Sequence, residues 1–375
     1  MIPSAGEPTL LAAIRDGIAE HGWISFAEFM RLALHHPECG YYARGADRIG
    51  PQGDFITASD LGPAFGFALA RQIREMAERV ESEGSFTITE FGAGRGWLAR
   101  DLVGALVDIP TLRYRAVDAS TGMRDAILTE QVTAYSPSEL PPAAPGVALA
   151  VELFDALPVH RVRRRDGELF ELGVTLEGER LVEHEVVAAE GLQRWATAYG
   201  AAAEEGSEAE ICLEYDAAFE MLDQSVENGY AIVIDYGDEA TRLYSARRHR
   251  GTLLAYHRHQ TNEDYFDRVG QQDLTAHVNF TALAHAAERA GWQHLGGTTQ
   301  DRFLIANDIL DCFEADSAES YQDPSRVQGR LQLRQLIEPT GMGRIFRVHI
   351  FSKRPSSEPT LRGLLDLFAR DGKRG

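Results

Sequence analysis

The chain has 375 residues, 44% of them apolar, and 57 acidic against 37 basic side chains give it a formal net charge of −20. That is enough for one large or two modest domains. No stretch approaches the roughly 20 consecutive apolar residues of a bilayer-spanning helix, and an acidic chain without a long Lys/Arg tract is poorly built to neutralise nucleic-acid phosphates.

The first 80 residues read as helical. Leu10, Leu11, Ile14 and Ile18 recur at helical spacing, and Ser25 with Glu28 forms a capping box ahead of Phe29, Met30, Leu32 and Leu34. Two turn-rich segments follow, around His36 to Tyr42 and Gly50 to Phe55, before a second helical run from Pro63 to about Val80. From Ser85 the texture changes to alternation. Phe86 to Phe91 reads as a strand that runs into Gly92-Ala93-Gly94-Arg95-Gly96 and then a helix through Leu98, Leu102 and Leu106. Tyr114 to Val117, Val147 to Leu153, Tyr230 to Asp235 and Gly343 to Ser352 read as further strands. Strand, glycine turn, helix, strand implies an α/β fold with a parallel sheet. The expected organisation is an N-terminal helical or lid segment over 1–84, a core over 85–352 with an Ala/Glu-rich, helical insertion at about 175–214, and a tail over 353–375. The insertion and the amphipathic stretch Leu361 to Phe368 are candidate contacts for a homodimer.

Three scattered cysteines, Cys39, Cys212 and Cys312, indicate neither a disulfide framework nor a zinc knuckle. Glu7, Asp16 and Glu20 in the first 22 residues argue against a basic transit peptide, so the expected location is the cytoplasm. His257 and His259 could share a face of a strand, but no Cys or Glu/His spacing completes a metal site, and none is expected.

A glycine turn after the first strand lets backbone approach a ligand closely. The dinucleotide pattern G-x-G-x-x-G would place a third glycine where Trp97 stands. The chain instead reads Glu90-x-Gly92-x-Gly94-x-Gly96, with an acid at the strand end, which favours a cationic ligand over a pyrophosphate. S-adenosylmethionine, with a sulfonium, an ammonium and no phosphate, fits that requirement. Asp118, 22 residues beyond Gly96 and followed by Ala119, is placed to accept the ribose hydroxyls.

These segments resemble the MidA-type S-adenosylmethionine-dependent methyltransferases, whose mitochondrial members assist assembly of respiratory complex I by methylating a protein arginine. The resemblance is carried by Phe29-Met30 through Gly40-Tyr41-Tyr42, Gly53-Asp54-Phe55-Ile56-Thr57, Glu90 to Gly96, Glu152-Leu153-Phe154-Asp155-Ala156-Leu157-Pro158, Asp235-Tyr236-Gly237, Asp273 to Val278 and Gly341-Met342-Gly343. It implies a class I, Rossmann-like methyltransferase core and a protein or peptide acceptor; no membrane partner is expected, because the chain lacks a long apolar stretch. The chain departs from the family pattern at Ala93, Trp97, Asp118, Val151 and Asn279.

Methyl transfer asks chiefly for alignment and exclusion of water. A protonated guanidinium acceptor would be held by carboxylates, for which Glu152 and Asp155, beyond the strand ending near Val151, are the candidates. The cofactor-binding set is Gly53, Asp54, Thr57, Glu90, Gly92, Gly94, Gly96, Asp118, Ala119 and Glu152. Tyr42, Phe55, Tyr236 and His259 are expected to face the acceptor, and His277 is a candidate base. Two other functions fit the same residues: methylation of a small molecule, and a cofactor-binding assembly factor without turnover.

Overall fold

The protein is described from a computed structural model over residues 5–44, 54, 57–80, 84–109, 111–127, 129–313, 324–353 and 360–365. Gly53 and Phe55 lie outside these residues. Helix α1 (Pro8–His21) opens on proline, closes on Gly22 in the left-handed region and buries Leu10, Ile14 and Ile18. Ser25 caps α2 (Phe26–His35), its Oγ accepting from the Glu28 N–H at 3.1 Å, as the capping pattern predicts. Helix α3 (Pro63–Arg79) packs against α4 (Trp97–Ala105) and, with the strand faces beneath it, encloses one of the two large apolar clusters.

The central sheet grows from β1 (Thr87–Phe91), β2 (Arg113–Val117), β3 (Val132–Tyr135) and β4 (Ala144–Val151), with the short helix α5 (Thr121–Ala126) between β2 and β3. β1 is buried throughout, as expected of a parallel strand covered on both faces. The chain then leaves for a second, antiparallel sheet made of β5 (His160–Arg165), β6 (Glu168–Glu177), β7 (Arg180–Val187) and β8 (Glu208–Ile211), ordered β7-β6-β5-β8, with α6 (Glu190–Tyr199) packed on it. The expected insertion over 175–214 is therefore corrected. Its helix is present, but it sits within a four-stranded sheet beginning at residue 160. Five of the six residues of β5 are basic, which hid the strand from a hydrophobicity reading. The cross-strand acids reveal it: Arg163 meets Glu208 at 2.7 Å and Glu183 at 3.0 Å, and Arg165 meets Glu185 at 2.8 Å.

After α7 (Tyr215–Asp223), β9 (Val226–Asp238) returns to the central sheet and pairs in parallel with β4. The single turn α8 (Ala240–Leu243) leads to the small sheet of β10 (Leu254–His257), β11 (Gln260–Asn262) and β12 (Asp273–Thr275). β13 (Val278–Asn279), α9 (Phe280–Arg289), β14 (Gln293–Thr299), α10 (Gln300–Ala306), α11 (Pro324–Ile337), α12 (Met342–Ile345) and β15 (Phe346–Lys353) complete the order. The main sheet runs β14-β15-β9-β4-β1-β2-β3, with β13 beside β9, and β15 antiparallel to both its neighbours. Residues 360–365 pack back on the chain rather than projecting from it: the Gly363 N–H donates to Gln72 Oε1 at 2.7 Å and Arg362 meets Asp308 at 2.6 Å.

Candidate functional site

A cavity of about 410 Å³ opens at the carboxyl ends of β1, β2, β4 and β9, where ligands of open α/β sheets bind. Residues 34–37 at the C-terminal end of α2, Tyr42, Thr57, Ser59 and Asp60 close it from the N-terminal side.

At one end stands the glycine turn. Gly92, Gly94 and Gly96 all have positive φ, at 70°, 52° and 73°. A Cβ on Gly94 would meet nothing within 4 Å, so the turn presents bare backbone to open space. One oxygen of Asp118 accepts from the Gly94 N–H at 3.0 Å and the other from the Ser120 N–H at 2.8 Å, which fixes the carboxylate at the lip and leaves lone pairs for further donors. Burial raises its pKa, and the two backbone donors oppose the rise. Glu90 is buried beside it and accepts from the Tyr114 hydroxyl at 2.6 Å; burial lifts its carboxyl to about 8. These residues fit S-adenosylmethionine: a side-chain-free cradle, an acceptor pair for ribose hydroxyls and acids to face a cation. Gly96 does not line the wall. It begins α4, and a Cβ there would press on Ile127 at 3.1 Å.

At the other end β4 terminates in a strained turn, with Glu152 at φ 53°. Asp235, in the last turn-facing stretch of β9 and fully buried, organises this turn. Its Oδ2 accepts from the N–H groups of Leu153 (3.1 Å), Phe154 (2.8 Å) and Asp155 (3.3 Å), and its Oδ1 from Tyr236 (2.8 Å). Glu152 Oε1 accepts from the Ala58 N–H at 2.9 Å, and the Tyr42 hydroxyl donates to Asp273 at 2.8 Å. Burial raises the Glu152 carboxyl to about 8 and that of Asp273 to about 7. Asp155 is pushed well above the usual carboxylate range by burial first and then by Asp235, Asp273 and Glu152. Burial lifts Asp235 too, but its four N–H partners favour the anion, so Asp155 is the member of that pair that keeps a proton. Tyr42, Tyr236 and Tyr256 complete this end of the wall.

The structure thus brings Tyr42, Thr57, Glu90, Gly92, Gly94, Asp118, Ala119, Glu152, Asp155 and Tyr236 to one cavity. Three expectations are corrected. Asp54 does not line it: its carboxylate accepts from the Tyr41 hydroxyl (2.9 Å) and the Arg258 N–H (2.7 Å), stapling the N-terminal segment to the β10–β11 hairpin. His259 is exposed in the turn of that hairpin, where Arg258 and His259 both have positive φ, and its N–H donates to the Asp54 carbonyl. His277 is packed behind Tyr236, with ring centroids 6.2 Å apart, and burial and Arg248 lower its pKa to about 4. It has no access to the cavity as a base. Asn279 caps α9, its Oδ1 accepting from the Ala282 N–H at 3.0 Å, a task aspartate performs equally well. That departure from the family pattern therefore needs no change of acceptor.

Asp235 and Asp273 were missed as site residues. For Asp235 the sequence signal was an acid closing the apolar run Tyr230 to Ile234; Asp273, which opens the short strand β12, offered no such run.

Residues 68–299 match the model of a family described as "Putative S-adenosyl-L-methionine-dependent methyltransferase". Over 90% of its length the chain is 28% identical to 86% of protein arginine methyltransferase NDUFAF7, mitochondrial, of Danio rerio. It is 26% identical to the human protein of that name, covering 88% of this chain and 80% of that one. A crystal structure from Burkholderia thailandensis bound to S-adenosyl-homocysteine superposes with a TM-score of 0.86 at 31% identity, over 96% of this chain and 95% of that one. The cytoplasmic expectation is overturned by the curated relatives, which are mitochondrial by name. Acids near the start of the chain do not establish a compartment.

Proposed function

The chain belongs to the S-adenosyl-L-methionine-dependent methyltransferase family, and from that premise we propose that it methylates an arginine side chain of a protein or peptide. The observation that carries this reading is the set of three acids, Glu152, Asp155 and Asp273, that line one end of the cavity, with Asp235 buried behind them. Uncharged acceptors gain nothing from such a set. A guanidinium compensates it, because each carboxylate that ionises beside the cation recovers part of its desolvation cost. The relatives named as protein arginine methyltransferases support the same acceptor.

The cofactor supplies an electrophilic methyl group on a sulfonium. Gly92, Gly94, Asp118, Ala119, Glu90 and Thr57 form its side of the cavity, the glycines through backbone and Asp118 through its two oriented oxygens. Glu152 and Asp155 grip the guanidinium through N–H donors and hold one nitrogen toward the methyl. Beside the cation Glu152 and Asp155 ionise, and the nitrogen that gains carbon passes its proton to one of their carboxylate oxygens. Asp235 and Asp273 position these two, Asp235 through the turn and Asp273 through Tyr42. The described residues up to position 61 form the covering segment, and those from α3 to β15 the core, with the second sheet as its insertion.

Incubation with S-adenosylmethionine and arginine-containing peptides, read by intact mass, should yield an added methyl mass that vanishes in Glu152→Gln. A product formed from a metabolite extract but from no peptide would replace the acceptor class.

A further inference from the structure

In the chemistry proposed above, on which this inference depends, Glu152 meets the guanidinium of the acceptor. β4 brings the backbone of Glu152 to the cavity, but the orientation of its side chain is set by the N-terminal covering segment. The Ala58 N–H donates to Glu152 Oε1 at 2.9 Å, and among the described residues it is the single donor to that carboxylate. The other oxygen keeps its acceptor capacity for a ligand.

That N–H belongs to a closed turn. Residues Ala58–Leu61 form one short 3-10 turn, and Thr57, Ser59 and Asp60 line the cavity beside it. Asp60 Oδ2 accepts from the Thr57 N–H at 3.0 Å and from the Thr57 hydroxyl at 2.9 Å, with Ser59 Oγ 2.8 Å from that hydroxyl. The Thr57 carbonyl carbon shares a rigid peptide plane with the Ala58 nitrogen, so a carboxylate that fixes Thr57 also fixes the direction of the Ala58 N–H. Ala58 and Leu61 are buried, and the turn packs against α3 and α4. Its place in the fold therefore rests on apolar contacts, and Asp60 is left to set its fine geometry. Around Glu152 stand Asp60, Asp155, Asp235, Asp273 and Tyr236; the acids oppose its ionisation, and the Ala58 N–H favours it.

We propose that Asp60 is a positioning residue for methyl transfer: by holding Thr57 it aims the Ala58 N–H at Glu152 and so fixes the carboxylate that meets the acceptor guanidinium. The covering segment then does more than exclude water. It supplies the hydrogen bond that orients a group of the reaction.

Turnover on an arginine-containing peptide and S-adenosylhomocysteine affinity by isothermal titration test this in Asp60→Ala and Asp60→Asn. Both lose the charge, but asparagine keeps an oxygen to which Thr57 can donate. Asp60→Ala should lower kcat by about thirtyfold with S-adenosylhomocysteine affinity within about threefold of native, while Asp60→Asn keeps kcat within about threefold. Ala58→Pro removes the N–H itself. Thr57, at φ −91° and ψ 164°, already has the extended backbone required before proline, and position 58 opens the turn, where proline is tolerated. Its kcat should fall to the level of Asp60→Ala, and the rising limb of kcat against pH should move up by about one unit, because Glu152 loses the donor that favours its anion. Equal loss in Asp60→Ala and Asp60→Asn would overturn the proposal in favour of a role for the charge. A native kcat and pH profile in Ala58→Pro would overturn it outright. No turnover of the peptide by the native chain would strike the acceptor reading and this inference with it, whereas native turnover indifferent to all these variants strikes this inference alone.

Discussion

At the glycine-turn end of the cavity, Asp118 gives each oxygen one backbone N–H and keeps lone pairs outward. At the β4–β9 end, Asp235 gives its oxygens four backbone N–H groups, while Asp155 is surrounded by other acids. The same carboxyl group serves three purposes, set by what it accepts. Where its acceptor capacity is filled it builds, where half is filled it awaits a neutral donor, and where neighbours crowd it with negative charge it awaits a cation.

The contrast can be broken most severely at Asp235. Asp235→Ala strips four buried N–H groups of their acceptor and should cost about 3 kcal/mol or more of stability. A large fall in Tm together with lost turnover is expected, whereas a variant of native Tm would show that the turn holds itself. Asp155→Asn probes the opposite use. Turnover should fall by about a hundredfold or more, with Tm unchanged or raised and S-adenosylhomocysteine affinity within about threefold; comparable loss of both activities would merge the two ends.

A third test separates the ends from the cofactor side. Gly94→Trp places an indole in open space at φ 52° and should weaken S-adenosylhomocysteine by about a hundredfold while costing the fold about 1 kcal/mol. Smaller in magnitude is the pH dependence. Glu152 and Asp273 have folded-state pKa values of about 8 and about 7, above their ordinary values. Their contribution to stability is therefore fully present below about pH 4 and is lost as pH rises through about 7 to 8. Tm of the ligand-free protein should decline from pH 6 to 9. Added arginine peptide should restore it more at pH 9 than at pH 6, and Glu152→Gln should flatten the profile. A Tm rising over that range would contradict the crowding.

The two ends also differ in how far they could be read from sequence. Glu90 to Asp118 is one β-turn-α-β unit, and spacing alone placed Gly92, Gly94 and Asp118 in the cavity, while Gly96 serves the start of α4 instead. The other end draws on residues 42, 57–60, 152–155, 235–236 and 273–275, which only the sheet order brings together. Resemblance to a family pointed to segments holding Glu152, Asp155, Tyr42 and Tyr236, but also to those holding Asp54 and His277, and the titration range of imidazole added His259; the fold uses these last three to pin a hairpin and fill space behind Tyr236. The central strands were legible because they are apolar runs. The second sheet was not, because its strands are joined by Arg–Glu pairs whose signal is visible only once the register is known.

The most direct measurement is a crystal structure of the protein with S-adenosylhomocysteine and an arginine peptide. The account predicts ribose hydroxyls on Asp118 and the peptide guanidinium within hydrogen-bonding distance of Glu152 and Asp155. A guanidinium bound away from those two carboxylates, or a ribose that bypasses Asp118, would contradict it.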